Sequence, residues 1–204
     1  MMTPNPDTAR LLHVGCGTQT KQDLKGFSDP DWQEFRYDLN PSVAPDILGD
    51  LVDMSAIESS SFDAIYSSHN IEHVFPHEVS VVLESFFRVL KPNGFVVLTC
   101  PDLQKVAEAV SRDQLTETLY ESPAGPITAL DVIYGHTGFI QKGNVFMAHK
   151  TGFTYKTLRL AFQQAGFRLT LGGRFEESFA LWILAVKGEM PQQDIVKLAE
   201  RFFP

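Results

Sequence analysis

The amino-acid sequence predicts an α/β protein with a Rossmann-like, seven-stranded, mostly parallel sheet, an antiparallel last strand and helices on both faces. Three observations support this prediction. Short apolar runs alternate with segments of helical periodicity, which is typical of a parallel sheet with helical crossovers. A Gly-Cys-Gly turn follows the first apolar run, where α/β folds often bind a ligand. The last two apolar runs have no helix between them, so they are expected to pair as an antiparallel hairpin at one edge.

The strands and helices can be assigned in order along the chain. Strands are predicted at residues 11–14, 35–39, 47–51, 62–66, 95–99, 167–171 and 179–186. Helices are predicted at residues 77–90, 103–115, 155–165 and 192–203. The polar stretch 18–32 contains Gly26 and Pro30, so no full helix is expected there. With 204 residues, the chain is expected to form a single domain over residues 1–204.

One long segment lacks clear periodicity. Residues 116–150 contain several glycines and prolines and read as an irregular stretch. A long irregular connection in a small domain is usually a binding loop or a lid. We therefore predict that residues 116–150 form a substrate-binding or lid segment.

Composition and charge exclude several classes of function. The formal net charge is −8 and no run of Lys and Arg is present, so nucleic acid is not expected as a partner. Cys16 and Cys100 have no spacing typical of a zinc knuckle, an iron–sulfur cluster or a disulfide framework. The first residues are polar, and no apolar stretch approaches the roughly 20 residues that span a bilayer. A cytoplasmic protein without membrane association is expected.

The glycine turn in LLHVGCGT allows a ligand to approach the backbone closely, because glycine has no Cβ. Such a turn also fits a dehydrogenase, a methyltransferase or a purely structural turn. A dehydrogenase would carry a third glycine, but Thr18, Gln19 and Thr20 follow Gly17. A pyrophosphate site is therefore disfavoured, and with it a nicotinamide-dependent oxidoreductase. S-adenosyl-L-methionine is a ligand without a pyrophosphate.

Two carboxylates are placed to recognise a nucleoside. Asp38 is predicted at the end of the second strand, where a carboxylate can accept hydrogen bonds from both ribose hydroxyls. Asp50 is predicted to close the third strand and to accept a hydrogen bond from an adenine amino group, with the Leu51 amide beside it. Either residue could also be an ordinary solvated aspartate at a strand end.

The motifs LLHVGCG, FRYDLNP, ILGDLVDM, SFDAIYSSHNIEHV and RVLKPNGFVVLTCPDL occur in this order over residues 10–103. In order and spacing, the chain resembles class I S-adenosylmethionine-dependent methyltransferases, most closely the small ones with a short first connection. The segment HKTGFTYKTLRLAFQQAGF is more loosely similar to the late helix and sixth strand of that family.

The resemblance implies a role for each motif. Gly15 and Gly17, with Cys16 between them, would contact the methionine part of S-adenosyl-L-methionine. Asp38, with Leu39 next to it, would hold the ribose. Asp50 and Leu51 would flank the adenine. The cofactor-binding set is completed by residues expected to border the methyl group, which are Ser68, His69 and Asn70.

The resemblance also implies the reaction, which is methyl transfer to a small-molecule or protein acceptor. The cofactor would supply the reactive methyl group, and the protein would supply binding and alignment. We expect the acceptor to lie over the carboxyl ends of the fourth and fifth strands, with a small molecule as the main partner. A monomer or a homodimer is compatible with the sequence. The alternative is a catalytically inactive module of the same fold that binds the cofactor or a partner.

The histidines allow further interpretations. His136 and His149 lie in the irregular segment and are candidate general bases, although both could be ordinary surface residues. His69-Asn70-Ile71-Glu72-His73 also spells the motif of inverted zinc peptidases, which needs both histidines on one helix. Because His69 follows a predicted strand almost directly, the two histidines are not expected to share a helix, and no metal site is predicted.

Overall fold

The protein is described from a computed structural model that covers residues 8–204. The strands in chain order are β1 Ala9–Val14, β2 Trp32–Asp38, β3 Ile47–Leu48, β4 Phe62–Ser68, β5 Leu90–Pro101, β6 Thr118–Ser122, β7 Gly125–Thr128, β8 Leu169–Phe175 and β9 Ala180–Val186. The helices are α1 Val79–Val89, α2 Leu103–Val110, α3 Ala129–Tyr134, α4 Thr137–Gln141, α5 Tyr155–Gln164 and α6 Gln192–Phe202. Among these residues, no helix combines the length and apolarity needed to cross a bilayer.

Seven strands form the main sheet in the order β3-β2-β1-β4-β5-β9-β8. The pairs from β3 to β5 are parallel, whereas β9 runs antiparallel to both β5 and β8. The predicted fold class, including the antiparallel last strand and the closing hairpin, is confirmed. Because β1 to β5 are parallel, the carboxyl ends of β1, β2, β4 and β5 meet at one edge of the sheet.

Apolar side chains cover both faces of the sheet. On one face, α1 and α5 pack onto β1, β4 and β5 through fully buried Leu83, Phe86 and Phe162. The apolar stripe predicted for residues 77–90 forms α1, and burial of its apolar side chains against the sheet stabilises this helix. On the other face, α6 buries Ile195 and Phe202.

The connection between β1 and β2 contains no α-helix, as predicted from its glycine and proline content. Its only helical turn is the 3₁₀ turn Lys21–Asp23. Phe27 follows this turn and is fully buried. The Phe27 ring centroid lies 4.3 Å from that of Phe202 in α6. The last helix, α6, therefore packs against this connection and buries part of its apolar face there.

Several predicted element boundaries differ from those in the structure. The third strand ends at Leu48, so Asp50 lies beyond the strand, in a turn that an isolated bridge to Asp53 closes. The second helix ends at Val110 and not at residue 115. The strand predicted at residues 167–171 stops before Gly172 and Gly173, but both glycines lie within β8, because that strand pairs with β9 over its whole length. Tertiary pairing here overrides the local preference of glycine for turns.

Residues 116–150 contain more regular structure than predicted. They form a hairpin of β6 and β7, the short helices α3 and α4, and the 3₁₀ turn Val145–Met147. Each element is six residues or shorter, which leaves too few positions for hydrophobic periodicity to appear. Thr128 begins α3 with a capping box: its side chain accepts a hydrogen bond from the Asp131 amide, and the Asp131 carboxylate accepts one from the Thr128 amide.

The capping box makes the stability of this segment depend on pH. Partial burial alone would raise the pKa of Asp131, but hydrogen bonds from Thr128 and Thr137 outweigh burial and lower the pKa to about 2. The ordinary value is 3.8. Since the folded state depresses this pKa, the carboxylate stabilises the protein fully above about pH 4, and this contribution is lost as the pH falls toward 2.

We therefore expect the stability difference between the wild-type protein and Asp131→Asn to shrink as the pH falls from 5 to 3. The midpoint of urea unfolding measured at several pH values tests this. Glu121→Gln, which removes an exposed carboxylate from the neighbouring strand β6, is the control and should show no such trend. A difference for Asp131→Asn that stays constant with pH would contradict the expectation.

Candidate functional site

The turn after β1 is held by backbone hydrogen bonds and by a carboxylate. The Gly15 amide donates to the Tyr37 carbonyl over 2.8 Å. The Gly17 amide donates to Asp38 Oδ2 over 2.8 Å. Gly15 and Gly17 have φ angles of +59° and +53°, in the left-handed region that glycine adopts without strain. The glycine turn and the end of β2 therefore form one connected unit.

The two glycines differ in what surrounds them. A Cβ placed on Gly15 would lie 1.8 Å from Asn70 Oδ1, because the Asn70 side chain packs directly against the turn. A Cβ placed on Gly17 would meet no atom within 4 Å. Gly15 thus provides room for a neighbour within the protein, whereas Gly17 faces open space at the edge of the sheet, where a ligand can reach the backbone.

Asp38 is half-buried at the end of β2, and each of its carboxylate oxygens already accepts a backbone amide. Oδ2 accepts from Gly17, and Oδ1 accepts from Asn40 over 2.8 Å. These bonds fix the orientation of the carboxylate. Each oxygen retains further acceptor capacity, so Asp38 can still accept the hydroxyls of a ribose.

Arg36 is a positioning residue that the sequence reasoning missed. Its guanidinium donates to the carbonyls of Gln19, Ala44, Val43 and Gly17. One side chain therefore ties the turn after β1 to the turn after β2. The only signal in the sequence is a charged residue between Phe35 and Tyr37, which is also typical of an exposed strand position.

Cys16 and Leu39 lie next to the glycines and Asp38 in the chain, and they differ in burial. Cys16 is buried, and its thiol lies 3.9 Å from Asp38 Oδ2. Burial raises the pKa of Cys16 to about 11, so the thiol stays protonated and is not a nucleophile at neutral pH. Leu39 is 44% exposed and lies beside Asp38, where an apolar side chain could contact a bound ring.

Asp50 and Leu51 lie in the turn after β3. Asp50 is exposed, and its Oδ1 accepts from the Val52 amide over 3.1 Å. The Tyr37 hydroxyl donates to the Asp50 carbonyl over 2.6 Å, which joins this turn to β2. Leu51 packs partly on the core beneath it. The structure therefore places both residues next to the Asp38 region, in a turn and not at a strand end.

The structure brings Ser68, His69 and Asn70 to the end of β4, with Ser68 as the last residue of the strand and not after it. His69 has a φ of +54°, and this conformation turns the chain away from the sheet. The Asn70 side-chain amide donates to the carbonyls of Val14 and Ser68 over 2.9 and 3.0 Å. Asn70 thus braces the glycine turn against the end of β4.

Beyond Asn70, the chain forms a three-residue 3₁₀ turn, Ile71–His73. His69 precedes this turn, so His69 and His73 do not share an α-helix, as expected. This geometry does not fit the inverted zinc peptidase. His69 Nδ1 instead lies 3.2 Å from Glu72 Oε1.

The structure reveals a cluster that the sequence reasoning did not assemble. Glu72, His73 and His149 each offer a ligand or base atom, and these atoms lie within 4.8 Å of one another. The Glu72 carbonyl accepts the amides of Lys150 and Thr151 over 2.8 and 3.2 Å. This backbone pairing brings His149 from the end of the 116–150 segment to the turn after β4.

Burial and charge set the protonation of this cluster. Burial alone would raise the pKa of Glu72, but the hydrogen bond and charge of His69 lower it, so the carboxylate is ionised. Burial lowers the pKa of His149 and outweighs the opposing charge of Glu72. Burial would also lower the pKa of His69, but the hydrogen bond and charge of Glu72 raise it. At neutral pH, His149 is therefore an uncharged imidazole beside a carboxylate.

A cavity of about 290 Å³ opens beside the cluster, past the end of β5. Its lining combines polar groups with an apolar wall, and includes Glu72, His149, Leu103, Val132, Tyr134 and Phe153. A cavity of this size accommodates a small molecule. Residues from the 116–150 segment form one side of it.

His136 and His149 lie in different surroundings. His149 borders this cavity, whereas His136 is absent from its described lining. Both ring nitrogens of His136 are buried without a hydrogen-bond partner among residues 8–204. The His136 ring packs on Phe139, with centroids 4.6 Å apart. Of the two histidines named as candidate bases, His149 is the one that borders this cavity.

Comparisons with known proteins give the class to which this architecture belongs. The family model described as "Methyltransferase domain" matches residues 12–98. No curated protein matches the chain. Among solved structures, a SAM-dependent methyltransferase from Methanosarcina mazei is similar, with a TM-score of 0.57 and 17% identity over 91% of this chain and 95% of that chain.

Two other solved structures are similar. The 1,6-didemethyltoxoflavin-N1-methyltransferase of Burkholderia thailandensis, solved with 1,6-didemethyltoxoflavin and S-adenosylhomocysteine, has a TM-score of 0.56 and 15% identity over 89% of this chain and 72% of that chain. A possible exported protein from Bordetella parapertussis has a TM-score of 0.59 and 16% identity over 89% of this chain. This chain spans 62% of the length of the Bordetella protein.

Residues 12–98 match the methyltransferase-domain model, and the predicted resemblance to the class I S-adenosylmethionine-dependent methyltransferases is confirmed. The same findings support S-adenosyl-L-methionine as the cofactor. The geometry of the site fits this cofactor, because Gly17 borders open space and the Asp38 carboxylate beside it has acceptor capacity left.

Proposed function

We propose that the protein transfers a methyl group from S-adenosyl-L-methionine to a small-molecule acceptor. The observation that carries this proposal is the position of the Glu72–His149 cavity relative to the glycine turn. Asn70 braces the glycine turn, and Glu72 follows Asn70 by two residues, in the 3₁₀ turn Ile71–His73. The proposed donor site and the proposed acceptor cavity are thus neighbours at the carboxyl edge of the sheet, where α/β folds bind ligands.

Each part of the donor site has an expected task. The open backbone at Gly17 and the Cys16 turn receive the methionine part of the cofactor. Asp38 accepts the ribose hydroxyls, with Leu39 against the ring. Asp50 and Leu51 flank the adenine. The cofactor supplies a methyl group on a positively charged sulfur, and Ser68, His69 and Asn70 border the position from which it is transferred.

The acceptor is proposed to bind in the cavity, with residues 116–150 covering it as a lid. The apolar wall formed by Val132 and Phe153 suits the carbon framework of a small molecule, and the cluster at its base suits a polar group. We propose His149 as the base that accepts the proton of that group, since its Nδ1 lies 2.7 Å from the Val132 carbonyl. Donation to that carbonyl leaves Nε2 as the free acceptor.

The remaining expectations concern the setting of the protein. A net charge of −8 favours a small molecule over nucleic acid as the acceptor. A cytoplasmic location, a monomer or homodimer, and a single domain over residues 1–204 stay predictions. Residues 1–7 lie outside the described part of the chain.

The proposal is tested first by thermal unfolding with and without S-adenosylhomocysteine, with NAD as the control ligand. At about 100 times its dissociation constant, a ligand stabilises the folded state by about 2.7 kcal/mol. For a domain of this size, that raises the midpoint by roughly 5–10 °C. We expect this shift with S-adenosylhomocysteine and none with NAD.

The same assay on Asp38→Asn tests the site itself. Loss of the carboxylate removes charge-assisted hydrogen bonds of about 1.5–3 kcal/mol, so the affinity for S-adenosylhomocysteine should fall by roughly 10- to 100-fold. Asp194→Asn, which removes a partly exposed carboxylate in the first turn of α6, is the control and should keep the full shift. If the wild-type protein shows no shift, donor binding fails. If it binds the donor but methylates no acceptor, the inactive binding module becomes the better description.

A further inference from the structure

We propose that Glu72, His73 and His149 form a binding site for a divalent transition-metal ion of the zinc class. This inference departs from the sequence-based prediction of no metal site, and it goes beyond the proposed methyl transfer, which does not require a metal. The three ligand atoms lie within 4.8 Å of one another. Two of the ligands come from the turn after β4, and the third comes from the end of the 116–150 segment.

Both histidines are oriented as metal ligands are. His73 Nδ1 lies 3.1 Å from the Ala148 carbonyl, and His149 Nδ1 lies 2.7 Å from the Val132 carbonyl. A carbonyl only accepts, so each Nδ1 must carry the proton and each Nε2 must carry a lone pair. Metal-ligating histidines usually donate their other ring nitrogen to a carbonyl or carboxylate in this way, which fixes the tautomer and the ring orientation.

Glu72 supplies the independent evidence for a ligand. Its side chain is 1% exposed, and Oε1 is the atom that faces His69. Oε2 is buried without a hydrogen-bond partner among the described residues. An unpaired buried carboxylate oxygen destabilises a fold, so such an atom usually has a partner. Neither His73 nor His149 forms a hydrogen bond to this oxygen, whereas a cation between the three groups would bind it.

The chemistry of the ligand set selects the kind of ion. Two imidazoles and one carboxylate suit zinc and similar first-row ions, whereas calcium and magnesium prefer oxygen ligands alone. A tetrahedral ion with bonds of about 2.0–2.2 Å holds its ligands roughly 3.4 Å apart, so the side chains must close by at most about 1.5 Å. Three protein ligands leave a coordination position open, and the adjoining cavity gives it access.

The site has a consequence for the proposed reaction, and this part of the inference rests on the proposed function. An ion on His149 Nε2 would occupy the lone pair that His149 needs as a base. It would also lower the pKa of a hydroxyl bound at its open position. A change at His73 distinguishes these two roles of His149, because His73 is a proposed metal ligand but is not the proposed base.

The test is calorimetric titration of the metal-free full chain with Zn²⁺, repeated with Co²⁺ to record its visible absorption. We expect one ion per chain in both titrations. Affinity should fall by roughly 100-fold or more in His73→Ala, His149→Ala and Glu72→Gln, since even loss of an outer contact costs 10- to 100-fold. His77→Ala, which removes an exposed histidine a few residues away, is the matched control and should bind like the wild-type protein.

Two results would overturn the proposal: the absence of stoichiometric Zn²⁺ binding, or Zn²⁺ binding that all three ligand variants retain. Glu72→Gln keeps the shape of the side chain, and circular dichroism shows whether each variant is folded. S-adenosylhomocysteine binding, measured on the same samples, separates this failure from that of the proposed function. A protein that binds the donor but not zinc refutes only the metal site.

Discussion

Gly17→Ala is expected to weaken S-adenosylhomocysteine binding by roughly 10- to 100-fold in a protein that stays folded. The added methyl group meets no protein atom within 4 Å, so it projects into the space proposed for the cofactor. Forcing a methyl group into a packed contact costs about 1–3 kcal/mol, which sets the loss of affinity. The φ of +53° adds a backbone penalty of about 1–2 kcal/mol to the folded state, which a domain of this size tolerates.

Gly15→Ala should give the opposite result, with a large loss of stability. Its methyl group would lie 1.8 Å from Asn70 Oδ1, so the Asn70 side chain would have to leave its position. That movement breaks hydrogen bonds to the Val14 and Ser68 carbonyls. Together with the backbone penalty at +59°, the expected cost is about 2–4 kcal/mol, or a midpoint lower by roughly 5–15 °C.

Thermal unfolding and calorimetric titration with S-adenosylhomocysteine measure both effects. Gly125→Ala is the control, because Gly125 also has a positive φ and open surroundings but is the first residue of β7. It should lose some stability and no cofactor affinity. Equal affinity in Gly17→Ala and the wild-type protein would show that the cofactor does not approach the backbone at Gly17.

His149→Ala is expected to lower kcat by about 10²–10⁴-fold while leaving the affinity for S-adenosylhomocysteine unchanged, because a positioned general base contributes about this factor. His149 borders the acceptor cavity and is absent from the donor site. The assay measures S-adenosylhomocysteine release with acceptors found by screening hydroxyl, thiol and amine compounds.

The pH dependence of the rate gives a second criterion. Burial lowers the pKa of His149 below its usual value, so the base is uncharged at neutral pH. The rate should therefore fall only as the pH drops below that lowered pKa, and this fall should be missing from the residual activity of His149→Ala. His77→Ala should behave like the wild-type protein. Unchanged turnover in His149→Ala would remove His149 as the base.

His73→Ala separates a base from a metal ligand. If His149 acts alone as the base, His73→Ala should keep most of the activity. If the proposed ion is needed, His73→Ala and chelation of the metal should both reduce kcat, and the effect of chelation should be reversed by Zn²⁺. A comparison of His149→Ala with His73→Ala therefore distinguishes a reaction in which His149 is the base from one that needs the proposed ion.

The main sheet could be predicted from the sequence because its signals are local. The apolar stripe of α1 and the continuous apolar run of β5 each specify an element without reference to the rest of the chain. The missing first crossover helix was also predicted, because glycine and proline interrupt residues 18–32. The failures lie where elements are short or where a distant strand decides the structure, as in residues 116–150 and at Gly172 in β8.

In the candidate site, too, some residues could be predicted from the sequence and others could not. Gly17 and Asp38 could be named together because the spacing of a turn and a strand end recurs in α/β folds. The Glu72–His149 contact could not be predicted, because it depends on backbone hydrogen bonds from Lys150 and Thr151 to Glu72 across the edge of the sheet. The role of Arg36 could not be predicted either, because its guanidinium donates to the carbonyls of four residues in two different turns.

The packing of α6 against the connection between β1 and β2 has a consequence for the order of folding. Lys25 donates to the Phe203 carbonyl, and these residues are 178 positions apart in the chain. Joining such distant segments carries a large loop-closure entropy, and contacts of this kind slow folding. The face covered by α1 and α5 can assemble from nearer neighbours, so we expect it to gain protection from hydrogen exchange first. The opposite face, with Phe27 at its centre, should stay accessible to solvent until α6 docks.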